Sequence, residues 1–72
     1  SEIYAETFFG GSNLNVQITG NDLNSGTGFI VLDNSAGGTL TVNGAANAAG
    51  LATSNGIPSG NVTEFGTITF SP

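Results

Sequence analysis

Apolar and polar residues alternate with a period of two in two segments of this chain, the pattern of strands that bury one face. Leu14, Val16 and Ile18 alternate with Asn15, Gln17 and Thr19, which predicts a strand over 14–19. Leu40 and Val42 repeat the pattern within 39–43. The run Phe29-Ile30-Val31-Leu32 lies inside a predicted strand over 27–33 and reads as the central strand, covered on both faces. Ile3-Tyr4-Ala5-Glu6-Thr7-Phe8-Phe9 is also apolar on both faces and ends at Gly10-Gly11. Val62–Phe70 predicts the last strand, with Val62, Ile68 and Phe70 on one face; Phe65 is out of step, so Gly66 is expected to mark a bulge.

Turn residues divide these segments. Gly20-Asn21-Asp22 and Asn24-Ser25-Gly26 lie before the central strand, and Asp33-Asn34-Ser35-Ala36-Gly37-Gly38 follows it. The strands on either side of 33–38 are expected to form a hairpin. Residues 44–60 hold only Leu51 and Ile57 as large apolar side chains and read as a long surface loop, since a helical turn over 45–52 shows no cap. Five short strands imply an all-β fold: a small Ig-like or jelly-roll-like antiparallel β-sandwich, left incomplete for a neighbouring subunit's strand to finish.

Composition narrows the function. Gly, Asn, Thr and Ser fill 37 of 72 positions, yet Leu, Ile, Val and Phe supply 19, more than a disordered chain carries. There is no Lys, Arg, His or Cys, and five carboxylates give a net charge of −5. Imidazole, thiol and amine catalysis are therefore excluded, as are disulfides and the usual Cys/His metal sites. Without cations the chain is not expected to bind nucleic acid or an anionic membrane surface, and no apolar run reaches the length of a membrane span. A small core with no disulfide or metal points to association with other subunits. The start at Ser1 rather than Met fits a processed chain or an excised fragment, and the absence of Lys and Arg, which removes every trypsin site, fits an extracellular or cell-surface location.

Residues 16–51 carry Val-Gln-Ile-Thr-Gly, then Gly26-Thr27-Gly28 and Leu32-Asp33, then Gly38-Thr39-Leu40 and Gly50-Leu51. This run resembles the CHRD (chordin-type) domain of secreted bacterial proteins. The resemblance implies a secreted immunoglobulin-like sandwich. The chain departs from it where that family has Glu-Pro-Pro, here Asn21-Asp22-Leu23-Asn24, and in having no His for the family's later motif. A ligand role tied to that motif does not carry over.

The remaining candidates are few. Glu2 and Glu6 lie on one strand face about 13 Å apart, too far for a glycosidase pair, so no catalytic residue is assigned and the chain is read as not an enzyme, with no cofactor. Asp22 and Asp33, with nearby Asn side chains, are the candidate Ca²⁺ ligands; the competing expectation is that Asx side chains bond their own turns. Asn61-Val62-Thr63 is the one N-x-S/T sequon and makes Asn61 a candidate glycosylation site.

These readings converge on a structural subunit of a secreted or cell-surface homopolymeric fibre, its partners further copies of itself and, on its surface, covalent or bound glycans. Assembly is expected by β-strand complementation. Residues 1–11 would be the donor strand and Gly-Gly hinge, with Ile3, Tyr4, Ala5, Phe8 and Phe9 as donor side chains. Residues 12–72 would be the sandwich body, with an acceptor groove of Leu14, Val16, Ile18, Ile30, Leu32, Ile68 and Phe70. The alternative is a CHRD-like extracellular binding or adhesion module for a glycan or protein, excised from a larger surface protein.

Overall fold

A computed structural model describes residues 1–72. Six strands form in chain order: β1 Glu2–Glu6, β2 Asn13–Gln17, β3 Phe29–Asn34, β4 Thr39–Asn43, β5 Val62–Gly66 and β6 Thr69–Ser71. A short helix, α1 (Ala48–Ser54), lies between β4 and β5, and 3-10 turns occupy Asn24–Gly26 and Ser59–Asn61. The chain is mostly β, as its alternation predicts.

The pairing differs from an antiparallel sandwich. Every strand pair is parallel, and the strands fall into two three-stranded sheets, β1-β3-β5 and β2-β4-β6. Consecutive strands lie in different sheets, so the expected hairpin of β3 and β4 does not form. The chain instead winds as a solenoid of three rungs, each rung giving one strand to sheet A (β1, β3, β5) and one to sheet B (β2, β4, β6). Glu2 pairs with Phe29, Asn13 with Thr39, Ile30 with Val62 and Thr41 with Thr69. The physical reason is that each connection, from the short corner at 35–38 to the long segment at 44–61, carries the chain across to the opposite sheet. A parallel neighbour is then reached only after a full circuit, which supplies the long crossover that parallel pairing requires.

The segment read as one strand over Val62–Phe70 divides for the same reason. Gly66 has φ +73 and ends β5, and β6 begins in the other sheet at Thr69. The feature read as a bulge is a corner.

Residues in register stack in columns that run from rung to rung. Leu14 and Leu40 form one interior column and Val16, Val42 and Phe70 the next in sheet B; Ile3, Ile30 and Val62 do so in sheet A. The middle rung is the driest, with Ile30, Leu32, Leu40 and Val42 fully buried, while the end rungs are half-buried. Both inner faces meet in a single core. Each fully buried large aliphatic side chain contributes about 1.5–3 kcal/mol.

Residues 44–60 are not a surface loop. Asn47 caps α1, its Oδ1 accepting from the Gly50 N–H at 2.8 Å, a cap the sequence reading did not credit. Leu51 and Ala52 are buried, as are Ala45, Asn55 and Ile57 around them. The C-terminal end of α1 receives the first rung's loop: the Gly20 N–H donates to the Ser54 carbonyl and the Leu23 N–H to that of Asn55. The helix thus closes the side of the core that the sheets leave open.

Candidate functional site

The solenoid leaves four strand edges unpaired: β1 and β2 at one end, β5 and β6 at the other. Such an edge is a row of free N–H and C=O groups that templates another strand. The segment expected to act as a detached donor is part of this arrangement. β1 is held along β3 by five register pairs within its own chain, and Ala5 and Thr7 are buried. Residues 1–11 are therefore the first strand of the body and the turn that follows it. Of the expected donor side chains, Ile3 is half-buried against the core and Ala5 is within it, while Tyr4, Phe8 and Phe9 face solvent at 53, 72 and 75% exposure.

The expected acceptor residues are all brought to the interior, but as filled columns and not an empty groove. Ile18, Ile30 and Leu32 are buried in the core, and Leu14, Val16, Ile68 and Phe70 pack against it half-buried. The surface contains no cavity.

The C-terminal edge holds one residue that the apolar pattern did not single out. Glu64 is the register partner of Leu32, which pairs in turn with Ala5, so its position falls in an interior column although it is exposed at the end of the stack. An inward carboxylate on an edge strand is a known safeguard against uncontrolled pairing. The C-terminal edge therefore carries one charged guard although the chain has no Lys.

The two outer faces differ in chemistry. Sheet B presents Asn13, Asn15 and Gln17, then Thr39, Thr41 and Asn43, then Thr69 and Ser71, with no charge. Sheet A presents Glu2, Tyr4 and Glu6, then Phe29, Val31 and Asp33, then Thr63 and Phe65. Phe29 and Phe65 are 45 and 48% exposed. Tyr4 donates its hydroxyl to Asp33 Oδ2 at 3.1 Å. Asp33 Oδ1 accepts from the Ser35 hydroxyl at 2.6 Å and the Ser35 N–H at 3.0 Å. These Ser35 bonds, the hydroxyl's foremost, hold the Asp33 carboxyl below its ordinary range. The same Tyr4–Asp33 bond is the main cause that raises the Tyr4 phenol above its ordinary value.

The two candidate calcium ligands serve turns. Asp22 Oδ1 accepts from the Ser25 N–H at 3.1 Å, as Asp33 does from Ser35, which is the Asx role that competed with metal binding in the sequence. No group of three or more carboxylates is gathered to hold a metal. Asn61 is likewise engaged: its Nδ2 donates to the carbonyls of Gly28 at 2.9 Å and Gly26 at 3.3 Å. A glycan on Nδ2 would displace bonds that join the second rung to the third, so the sequon is better explained as a structural asparagine.

No family model, curated protein or solved structure matches the chain, and nothing links it to the chordin-type domain. No helix is long and apolar enough to cross a membrane.

Proposed function

We propose that this chain is the repeating subunit of a secreted or cell-surface fibre, built by end-to-end stacking of solenoids. The observation that carries the reading is the match between the two ends. Both offer parallel strand edges from both sheets, and the interior columns continue if β5 and β6 of one copy receive β1 and β2 of the next. Val62 would then meet Ile3, Ile68 would meet Leu14, and Phe70 would meet Val16. Strand complementation is retained, with β1 presenting its free edge while its other edge stays paired to β3. Because the two contacting surfaces differ, the assembly grows as an open filament.

The test uses surface charge. Asn15 and Thr69 both flank Thr41 in the outer face of sheet B, one rung to either side of it. Within one copy they are two rungs apart, about 10 Å, but stacking makes them direct neighbours. Fibres seen by negative-stain microscopy should disappear in an Asn15→Glu, Thr69→Glu double variant, where like charges face each other. They should return with Asn15→Glu, Thr69→Lys. A wild-type chain that stays monomeric at high concentration, or fibres indifferent to both pairs, would sink the proposal.

A second reading, an extracellular binding module, is favoured by one observation: the exposed aromatic side chains on the outer face of sheet A.

A further inference from the structure

We propose that the outer face of sheet A docks an extended, arginine-bearing segment of a partner protein. The inference starts from three aromatic rings that the fold leaves in water. Tyr4, Phe29 and Phe65 are each about half exposed, on three different rungs, and Val31 lies between them in the Tyr4–Val31–Thr63 column. An exposed cluster of this kind marks an interaction surface more often than a solvated one.

Each ring has a carboxylate beside it. Phe29 is the register partner of Glu2, Phe65 is the register partner of Asp33, and Tyr4 is bonded to Asp33 and stands between Glu2 and Glu6 on β1. A guanidinium can lie flat on an aromatic face while its N–H groups reach a neighbouring carboxylate, so ring and acid together select Arg. Positions on this face lie about 7 Å apart along a strand and about 5 Å apart between rungs. Alternate side chains of an extended segment match the first of these spacings.

Charge decides among the occupants. A second copy cannot supply the cation, because the chain has no Lys, Arg or His and its face would bring the same negative sign. A neutral polysaccharide could stack on the rings but gains nothing from a carboxylate beside each one. The outer face of sheet B has neither rings nor charge and serves as an internal control. The inference is independent of end-to-end stacking, which leaves this side face free.

The experiment titrates the whole chain with a synthetic peptide of alternating Arg and Thr, followed by nuclear magnetic resonance, with an alternating Glu and Thr peptide as control. The Arg peptide should shift signals of Tyr4, Phe29, Val31, Asp33 and Phe65 and leave Asn15, Thr41 and Thr69 unmoved. A Phe29→Thr, Phe65→Thr double variant, with its folding checked by circular dichroism, should weaken binding about tenfold. Equal binding by that variant, or shifts spread over both sheets, would reduce the effect to diffuse charge attraction and overturn the proposal. Retention on cellulose or chitin that is lost in the double variant, with no binding of the Arg peptide, would overturn it in favour of a sugar platform.

Discussion

Thr7 and Asn34 meet side chain to side chain inside one corner of the solenoid, the Thr7 hydroxyl donating to Asn34 Oδ1 at 2.5 Å. The same Asn34 amide donates to the carbonyls of Gly38 at 2.9 Å and Thr67 at 2.8 Å. One buried side chain therefore ties all three rungs at the turn between the sheets. Asn55 does comparable work on the helix side, where its Nδ2 donates to the carbonyls of Ile18 and Leu51 and its Oδ1 accepts from Asn21. No buried side-chain polar atom is left unpaired.

Asn34→Ala should accordingly lose about 2–3 kcal/mol, because it leaves the buried Thr7 hydroxyl without its acceptor and the Gly38 and Thr67 carbonyls without their donor. Asn34→Asp should be worse at neutral pH, where a carboxylate oxygen would face the Gly38 and Thr67 carbonyls. Urea unfolding monitored by circular dichroism checks both. A loss below about 0.5 kcal/mol for Asn34→Ala would mean that water replaces the amide.

Gly38 fixes the same corner by its lack of a side chain. A Cβ placed there would lie 2.7 Å from the Ser12 carbonyl oxygen and 2.8 Å from that of Phe9, both backbone atoms of the rung below. Gly38→Ala should destabilise by more than about 1 kcal/mol. Gly11→Ala is the matched control, since nothing lies within 4 Å of a Cβ there and its φ is not positive. It should be neutral or slightly stabilising. Equal melting temperatures for the two variants would show that the rungs separate at little cost.

The acid limb of stability should run through Asp33. Its folded pKa is lowered, so the stabilisation is present above the unfolded value near 3.9 and is lost as pH falls through the folded value. Ser35→Ala removes the largest cause and should move the Asp33 carboxyl back toward its ordinary range in a carbon-detected titration. Tyr4 has the opposite sign: its raised pKa gives stability that is full below pH 10 and lost as pH rises through the folded value. Tyr4→Phe should flatten that alkaline limb.

How much of this was readable in the chain depends on range. The alternation of Leu14 and Val16 with Asn15 and Gln17 located β2, and the same logic located β4, because period two is a local property of a half-buried strand. It does not say which strand is the neighbour. The signal that could have said so is a repeat across distance: Asn13-Leu14-Asn15-Val16, Thr39-Leu40-Thr41-Val42 and Thr67-Ile68-Thr69-Phe70. These three copies stack in register, and recognising them would have pointed to rungs before hairpins. The copies share an apolar pattern but few identities, which disguised the repeat. The helix was hidden in turn by its composition, with Gly50 inside it and a lone Leu51 as its large buried side chain. Ile3 and Ala5, expected as donor side chains, and Ile30 and Leu32, expected in the acceptor groove, pack with one another inside a single copy.

Glu64 is the residue that most opposes the proposed fibre. Glu64 is exposed at the open end of the Ala5–Leu32 column. Stacking a second copy would bring its Ala5 over Glu64 and take the carboxylate out of water, with no cationic side chain in the chain to meet it. The small Ala5 side chain leaves room for the longer one, so the obstacle is charge more than volume. Glu64→Gln should therefore lower the concentration at which fibres form, and Glu64→Leu should lower it further by extending the apolar column. Neither change should alter the monomer's spectrum, because residue 64 is exposed there. Light scattering against concentration gives the threshold directly. A threshold unchanged in both variants would mean that the C-terminal edge does not receive the next copy.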